Sequence, residues 1–279
     1  MSPHATIRID GEPAVALPLP DRGLEFGDGL FETLILKEGR PLFPELHLQR
    51  LRAGLRALHF PDCLAAAATQ LQSVADETSR SAPAWSVLRL TVTRGSGRRG
   101  YAPPARPRPR IIISVTPLER DATAALAPAR LRVASVRWPF QPLLAGIKHL
   151  NRLEQVLAAR EAQQSGVDEA VMLDQDGRVI SVTAGNLFIV RDGTLYTPVL
   201  DRCGIAGTRR RLILERWAPA LGLPVGEARI GLDELDSAEE VFYCNSVVGP
   251  RPVACLGDRR WRNHAVCEAV HDLCWSGLT

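Results

Sequence analysis

Residues 143–157 read LLAGIKHLNRLEQVL, an apolar loop that runs into a predicted helix and carries Lys148. Of the 34 basic side chains in the chain, only Lys37 and Lys148 are lysines. An amine in apolar surroundings loses hydration, so its pKa falls and it becomes a nucleophile that can form a Schiff base. Lys37 lies beside Glu38 at a hairpin turn, which is typical of a solvated lysine. A lysine at a helix start can also be a snorkelling side chain, so this stretch alone leaves both interpretations of Lys148 open.

On both sides of this stretch, short strands joined by tight turns are mixed with amphipathic helices. Leucines at helical spacing follow Pro44, and the pairs Asp176-Gly177 and Asp192-Gly193 separate apolar runs. Strands are predicted at 6–10, 13–17, 30–36, 86–93, 110–116, 130–137 and 240–244, and further helices at 62–76, 150–165 and 208–221. This order lacks a regular βαβ alternation, so it predicts an α+β protein with largely antiparallel or mixed sheets.

The chain of 279 residues suits one large domain or two modest ones. Periodicity disappears between Glu119 and Pro128, which predicts an interdomain linker. We therefore expect a small N-terminal domain at 1–118, a linker at 119–128 and a larger C-terminal domain at 129–279.

Composition and charge exclude several classes of protein. No apolar run approaches the roughly 20 residues of a membrane-spanning helix, and residues 1–12 lack a signal-peptide pattern. A net charge of +3 is too small to imply a nucleic-acid or membrane partner by itself. The six cysteines form no CxxC pair and no metal-like spacing, so we expect reduced thiols, a cytoplasmic protein and no metal site.

Residues 204–209 read GIAGTR and precede an amphipathic helix. Glycines there let backbone N–H groups converge, and the positive end of the helix dipole favours a phosphate, although most such helix starts are only caps. Asn245 and Ser246 follow a strand and can offer donors to the same anion. Arg50 lies off the leucine stripe of its helix, where it is either a solvated side chain or a third phosphate ligand.

The stretch 94–110 holds six arginines, Tyr101 and no acidic residue. Charge and stacking of this kind can bind single-stranded nucleic acid. A basic loop that covers a pocket for an anionic metabolite, or a plain solvated loop, fits the composition as well. The near-neutral charge of the whole chain argues against nucleic acid.

Several motifs occur together in one order along the chain. They are DRG at 21–23, FGDGLFET at 26–33, HLQRL at 47–51, DEA at 168–170, NLF at 186–188 and the helix entrance at Gly207. From about Ile9 to Val253 the chain thereby resembles the class IV aminotransferases, which are pyridoxal-phosphate enzymes of fold type IV. Two stretches, RGSGRRGY at 94–101 and GIKHLNRLEQVL at 146–157, favour the 4-amino-4-deoxychorismate lyases within that family.

The resemblance implies a two-domain fold similar to that of D-amino-acid aminotransferase. In such a fold a small N-terminal α/β sandwich is followed by a larger C-terminal pseudo-barrel. It further implies a homodimer with pyridoxal 5'-phosphate in the cleft between the domains.

The resemblance also implies roles for individual residues. Lys148 would be the Schiff-base lysine and the catalytic base, and Thr33 would donate a proton or hydrogen bond during elimination. Substrate carboxylates would be bound by Asn245 and by Arg99, with the neighbouring Arg98 as the alternative. The cofactor phosphate would be held by Arg50, the Gly207, Thr208 and Arg209 amides, and Ser246.

Ser181 departs from the family pattern. Where the family usually places a glutamate against the pyridine nitrogen of the cofactor, residues 179–188 read VISVTAGNLF. A serine hydroxyl can hydrogen-bond a neutral nitrogen, which makes the ring a weaker electron sink than a carboxylate does. We interpret this as a bias towards elimination; the alternatives are a degraded enzyme or another group in the role of the acid.

The expected reaction is therefore the conversion of 4-amino-4-deoxychorismate into 4-aminobenzoate and pyruvate, a step of folate synthesis. The alternative within the family is an aminotransferase acting on branched-chain or D-amino acids. Phe31 stands where D-amino-acid aminotransferases carry a tyrosine, which favours the lyase. A basic nucleic-acid-binding protein is the alternative from another class.

Overall fold

The computed structural model describes residues 6–80 and 84–276, and the chain forms two compact units. The first unit comprises the chain up to Ala122 together with Ile147–Asn151, and the second comprises Thr123–Gly146 and the chain from Arg152 onward. The break after Ala122 lies within the stretch predicted as a linker, and the short segment around Lys148 packs with the first unit. The predicted domain bounds stay a prediction.

The first unit is an antiparallel sheet with helices packed on it. Its elements are, in chain order, β1 (Thr6–Ile9), β2 (Glu12–Pro13), α1 (Arg22–Phe26), β3 (Gly29–Lys37), β4 (Arg40–Pro41), α2 (Pro44–Ala57), α3 (Leu64–Ser79), β5 (Trp85–Thr93) and β6 (Arg110–Pro117). The strands follow the order β2-β1-β6-β5-β3-β4, and each neighbouring pair is antiparallel. Helices α2 and α3 pack against the sheet and against each other.

The side chains of β3 alternate between the sheet face that packs against α2 and the opposite face. Leu30 faces the helix so closely that a Cβ at Gly54 of α2 would lie 2.8 Å from the Leu30 side chain. Glu32, two residues further on, bonds to side chains of α2. Because side chains alternate along a strand, Phe31 and Thr33 face the other side of the sheet.

The second unit is built on a mixed sheet. Its elements are, in chain order, β7 (Ala129–Trp138), a 3-10 turn (Pro142–Leu144), α4 (Leu153–Gln164), β8 (Glu169–Asp174), β9 (Val179–Val182), β10 (Asn186–Arg191), β11 (Thr194–Pro198), α5 (Thr208–Leu212), a π-helical turn (Ile213–Trp217), α6 (Ala218–Ala220), β12 (Val225–Ala228), α7 (Leu232–Ser237), β13 (Glu240–Asn245), β14 (Gly249–Leu256), β15 (Arg259–Arg260) and α8 (Ala265–Trp275).

The strands of this unit follow the order β12-β11-β10-β13-β14-β7-β8-β9, with β15 paired to β14. Parallel pairing joins β11 to β12, and β7 to both β14 and β8. The sheet curls, because its last strand β9 also contacts β10 and a bridge joins Val182 to Gly185. The predicted α+β class, with a pseudo-barrel in the C-terminal part, is confirmed.

Prolines explain two differences from the predicted elements. The predicted strand 13–17 is wrong beyond Pro13, where a strand ends and a stretch with prolines at 18 and 20 follows. Proline has no N–H to give to a neighbouring strand. The predicted helix 208–221 is interrupted by a π-helical turn that ends two residues before Pro219. A proline ring cannot fit a regular α-helical turn, so the helix widens before it.

Candidate active site

The segment Ile147–Asn151 runs along β3 and brings Lys148 to the Phe31 side chain. The Phe31 amide donates to the Lys148 carbonyl over 2.9 Å, and the Leu150 amide donates to the Gly29 carbonyl over 3.0 Å. The Lys148 Nζ atom lies 4.3 Å from the centre of the Phe31 ring. Backbone bonds and an aromatic face therefore hold the amine in one place, as a nucleophile requires.

Thr33 lies on the Phe31 side of the sheet, directly opposite Arg89 in the β3–β5 pairing. The Arg89 guanidinium lies 4.0 Å from the centre of the Phe31 ring, which also carries the Lys148 amine. Among residues 6–80 and 84–276, no hydrogen bond or ion pair engages this guanidinium. The Arg89 side chain is exposed, and partial desolvation by its neighbours lowers its pKa. A cation without a carboxylate partner beside Lys148 is suited to an anionic ligand group.

Arg89 is a candidate site residue that the sequence analysis missed. A signal was available, since Arg89 is the single charge in a strand whose alternate residues Leu88, Leu90 and Val92 are buried. The sequence does not show that Arg89 lies beside Thr33 and Phe31, because this proximity depends on the register of β3 with β5.

Arg50 points to the opposite side of β3, where it is held by Glu32. The Arg50 Nε atom donates to Glu32 Oε1 over 2.8 Å, and its Nη2 atom donates to Oε2 over 2.5 Å. His47 Nδ1 lies 2.6 Å from the same Oε2 atom. Burial raises the pKa of Glu32, but the Arg50 charge and the hydrogen bonds from Arg50 and His47 outweigh it and lower the pKa to about 2. Glu32 is therefore a buried carboxylate that fixes the direction of the Arg50 guanidinium.

The basic stretch 94–110 is anchored at both ends. Arg94 donates to Asp28 over 2.8 Å and lies 4.0 Å from the centre of the Phe60 ring, and Arg110 pairs with the buried Asp21. Two of the six arginines thus complete the packing of the first unit. Arg98 and the predicted substrate ligand Arg99 are exposed, and no contact chooses between them. The role of Arg99 stays a prediction.

In the second unit, the predicted phosphate ligands gather at the start of α5. Thr208 Oγ1 and Ser246 Oγ share a hydrogen bond of 3.1 Å. The first bond inside the helix runs from the Arg211 amide to the Gly207 carbonyl, so the preceding amides point out of the helix end. A Cβ at Gly207 would lie 2.1 Å from Asn186 Oδ1, so only glycine fits this entrance.

The Arg209 side chain packs away from this helix start. It is buried, and its guanidinium lies 5.8 Å and 5.4 Å from the centres of the Trp217 and Trp275 rings. Burial also lowers its pKa. The backbone amide is thus the group of Arg209 that lies at the helix start, and its role as a phosphate ligand stays a prediction.

The Asn245 side chain uses most of its hydrogen-bonding groups within the protein, in its own turn and with Ala184. Its Nδ2 atom donates to the Ala184 carbonyl over 3.0 Å, and its Oδ1 atom accepts from the amides of Val247 and Val248 over 2.9 and 2.7 Å. One N–H of the side-chain amide has no bond among the described residues. The substrate-binding role of Asn245 stays a prediction, and that single N–H is what the side chain can offer.

Ser181 is buried on β9, and its Oγ atom accepts a hydrogen bond of 3.1 Å from Trp138 Nε1. The predicted site residues Thr33, Arg50, Arg99 and Lys148 thus belong to the first unit. Those of the second unit are Ser181, Gly207, Thr208, Arg209, Asn245 and Ser246.

The described part of the chain holds no cluster of three or more histidine, cysteine, aspartate or glutamate side chains that could bind a metal ion. None of the helices described is long and apolar enough to cross a membrane.

Comparison with known proteins confirms the predicted resemblance. The chain is 35% identical over 249 residues to the aminodeoxychorismate lyase of Vibrio harveyi, covering 88% of this chain and 89% of that protein. It is 32% identical to a putative branched-chain-amino-acid aminotransferase of Methanocaldococcus jannaschii, covering 91% and 87%. The crystal structure of 4-amino-4-deoxychorismate lyase from Pseudomonas aeruginosa matches with a TM-score of 0.89 and 42% identity, over 98% of this chain and 99% of that one. Residues 29–256 match the family described as amino-transferase class IV, and the chain therefore belongs to that family.

Proposed function

We propose that this protein is a 4-amino-4-deoxychorismate lyase, which converts its substrate to 4-aminobenzoate and pyruvate with pyridoxal phosphate as cofactor. The observation that carries the proposal is the cluster on one sheet face, in which the Lys148 amine, the Thr33 strand position and the Arg89 guanidinium surround Phe31. The likeness to the lyases of Vibrio harveyi and Pseudomonas aeruginosa supports it.

The residues present fit pyridoxal phosphate. A hydroxyl pair and outward amides at a helix start suit a phosphate, and a buried serine hydroxyl suits a ring nitrogen. Lys148 would bind the aldehyde, Ser181 would contact the ring nitrogen, and Glu32 would keep the Arg50 guanidinium directed for the phosphate. The remaining phosphate ligands would be the Gly207, Thr208 and Arg209 amides and the Ser246 hydroxyl. When bound, the cofactor supplies the sink for the electrons that the substrate releases.

The chain's own residues move protons. The Lys148 amine would accept the proton from the substrate ring carbon that carries the amino group. Thr33 donates a hydrogen bond or proton to the departing enolpyruvyl group. Phe31 contributes no proton, because it carries no hydroxyl, and instead fixes the position of the Lys148 amine.

The substrate carries two carboxylates, and each needs hydrogen-bond donors that are not already paired with a carboxylate of the protein. Arg89 meets this condition beside Lys148, and we assign it to one substrate carboxylate. Arg99 and the unengaged N–H of Asn245 are assigned to the other. A homodimer in the cytoplasm is part of the same proposal.

Covalent trapping tests the role of Lys148. The protein is incubated with pyridoxal phosphate, reduced with borohydride and digested, and the peptides are weighed by mass spectrometry. We expect the added mass on Lys148 in the wild type and in Lys37→Ala, and we expect Lys148→Ala to lose both the added mass and the release of pyruvate. Label on Lys37, or pyruvate release by Lys148→Ala, contradicts the proposal.

An aminotransferase is the second candidate function, and the relative in Methanocaldococcus jannaschii favours it. A serine in place of the family's glutamate weakens the electron sink, which hurts transamination more than elimination. Elimination is less affected because the leaving group carries the electrons away.

A further inference from the structure

Trp138 and Ser181 form a buried pair that neither the motifs nor the resemblance predicted. Trp138 ends β7 and Ser181 lies on β9, with β8 between the two strands. Both side chains are 6% exposed, and Trp138 Nε1 lies 3.1 Å from Ser181 Oγ. The Trp138 ring packs in an apolar cluster with Met172 and Ile180, so its direction is fixed.

The hydrogen bond between Trp138 and Ser181 can run in only one direction. An indole N–H donates and never accepts, so Ser181 Oγ is the acceptor in this bond. The Ser181 hydroxyl proton has no acceptor in the part of the chain that the structure describes. Since buried donors are nearly always hydrogen-bonded, this proton is available to a bound group that accepts a hydrogen bond.

The charged groups around Trp138 and Ser181 do not favour a positive charge on a ring nitrogen bound at Ser181, because Arg152 already places one positive charge nearby. The Arg152 guanidinium lies 5.4 Å from the centre of the Trp138 ring. Asp174, opposite Trp138 in the strand pairing, accepts hydrogen bonds of 3.0 and 2.9 Å from two backbone N–H groups of its own turn. Cys203 packs in the same cluster, and burial raises the pKa of its thiol to about 12, so it is neutral.

We propose that Trp138 is a positioning residue that fixes Ser181 as a hydrogen-bond donor, so that the site binds pyridoxal phosphate with an unprotonated ring nitrogen. A protonated ring nitrogen would be a second donor aimed at Ser181 Oγ, and it would leave the serine proton without an acceptor. With an unprotonated nitrogen, the Trp138 N–H donates to Ser181 Oγ and the Ser181 hydroxyl donates to the ring nitrogen, so each donor has an acceptor. This inference rests on the proposed function, because it needs the cofactor ring to lie at Ser181.

Two readouts other than activity test the proposal. The first is the nitrogen NMR shift of pyridoxal phosphate labelled with nitrogen-15 in the ring, which separates protonated from unprotonated nitrogen. The second is the affinity ratio between pyridoxal phosphate and its 1-deaza analogue, in which carbon replaces the ring nitrogen. The variants are Trp138→Phe and Ser181→Glu. The matched control is Trp261→Phe, which removes another buried indole N–H of the same unit, bonded to the Ala238 carbonyl over 2.9 Å.

We expect the wild type to hold an unprotonated ring nitrogen and to prefer pyridoxal phosphate over the analogue by about fivefold, the value of one neutral hydrogen bond. Trp138→Phe should lower this ratio and move the nitrogen shift, Trp261→Phe should change neither, and Ser181→Glu should give the protonated nitrogen.

A protonated nitrogen in the wild type overturns the inference, and this result needs no variant to fold. An unchanged ratio and shift in Trp138→Phe overturn the role of Trp138. If the wild type shows no absorbance band of lysine-bound cofactor after pyridoxal phosphate is added, the proposed function itself fails and the inference falls with it.

Discussion

Glu32→Gln removes the carboxylate that holds Arg50 and His47 and keeps the size of the side chain. Glu32 is 1% exposed, and its pKa is about 2, compared with 4.5 for a glutamate in water. One pKa unit corresponds to about 1.4 kcal/mol, so the ionised carboxylate stabilises the folded protein by about 3 kcal/mol. We expect Glu32→Gln to lower the free energy of unfolding by about this amount at pH 7.

The sign of the pH dependence follows from the lowered pKa. The carboxylate's contribution is complete above pH 4.5. It is lost as the pH falls towards the folded-state pKa of about 2, because the unfolded state takes up the proton first. The stability gap between wild type and Glu32→Gln should therefore fall to about half at pH 3.

Urea titrations followed by circular dichroism at pH 7 and pH 3 measure this gap. The control is Glu77→Gln, which breaks the pair of Glu77 with Arg8 on the surface of the same unit, where the Glu77 side chain is 40% exposed. An exposed pair of this kind is worth less than about 1 kcal/mol. If Glu32→Gln is no more destabilising than Glu77→Gln at pH 7, or if its deficit is the same at pH 3, the reasoning is refuted.

Three further predictions concern the proposed reaction. Arg89→Met should lower kcat/KM for aminodeoxychorismate by about 10–100-fold, the value of a hydrogen bond to a charged group, while Arg52→Met on the exposed side of α2 should not; equal kinetics of the two variants would remove Arg89 from the site. Thr33→Val should lower kcat by about 100-fold with cofactor binding unchanged, whereas the same change at Thr91, opposite Phe31 on β5, should leave kcat near wild type. Gly207→Ala places a Cβ 2.1 Å from an asparagine oxygen and should weaken pyridoxal phosphate binding by about tenfold in a fluorescence titration, and an unchanged affinity would contradict the role of this helix start.

Local pattern was enough to mark Lys148 and the Gly207 helix entrance as candidates and to predict helix α2, while the roles of the two candidates stay predictions. Lys148 stood out because the chain has two lysines and only one of them lies in an apolar loop. Helix α2 followed from leucine spacing, and the predicted helix is confirmed as Pro44–Ala57. The Gly207 entrance followed from two glycines before a helical pattern.

The partners of these residues depend on contacts that no local pattern reports. Glu32 meets Arg50 only because β3 passes under α2, and Arg89 meets Phe31 only through the register of β3 with β5. Trp138 and Ser181 are 43 residues apart and meet across an intervening strand. Such contacts require the pairing order of the sheets, which hydrophobic periodicity does not determine.

The most direct test of the lyase assignment is one reaction mixture. The protein, loaded with pyridoxal phosphate, is given aminodeoxychorismate together with L-leucine and D-leucine as amino donors and 2-oxoglutarate as amino acceptor, and 4-aminobenzoate, pyruvate and glutamate are quantified by chromatography. We predict equal amounts of 4-aminobenzoate and pyruvate and no glutamate above the Lys148→Ala background. Glutamate formed without 4-aminobenzoate would contradict the account and assign the protein to the aminotransferases of its family.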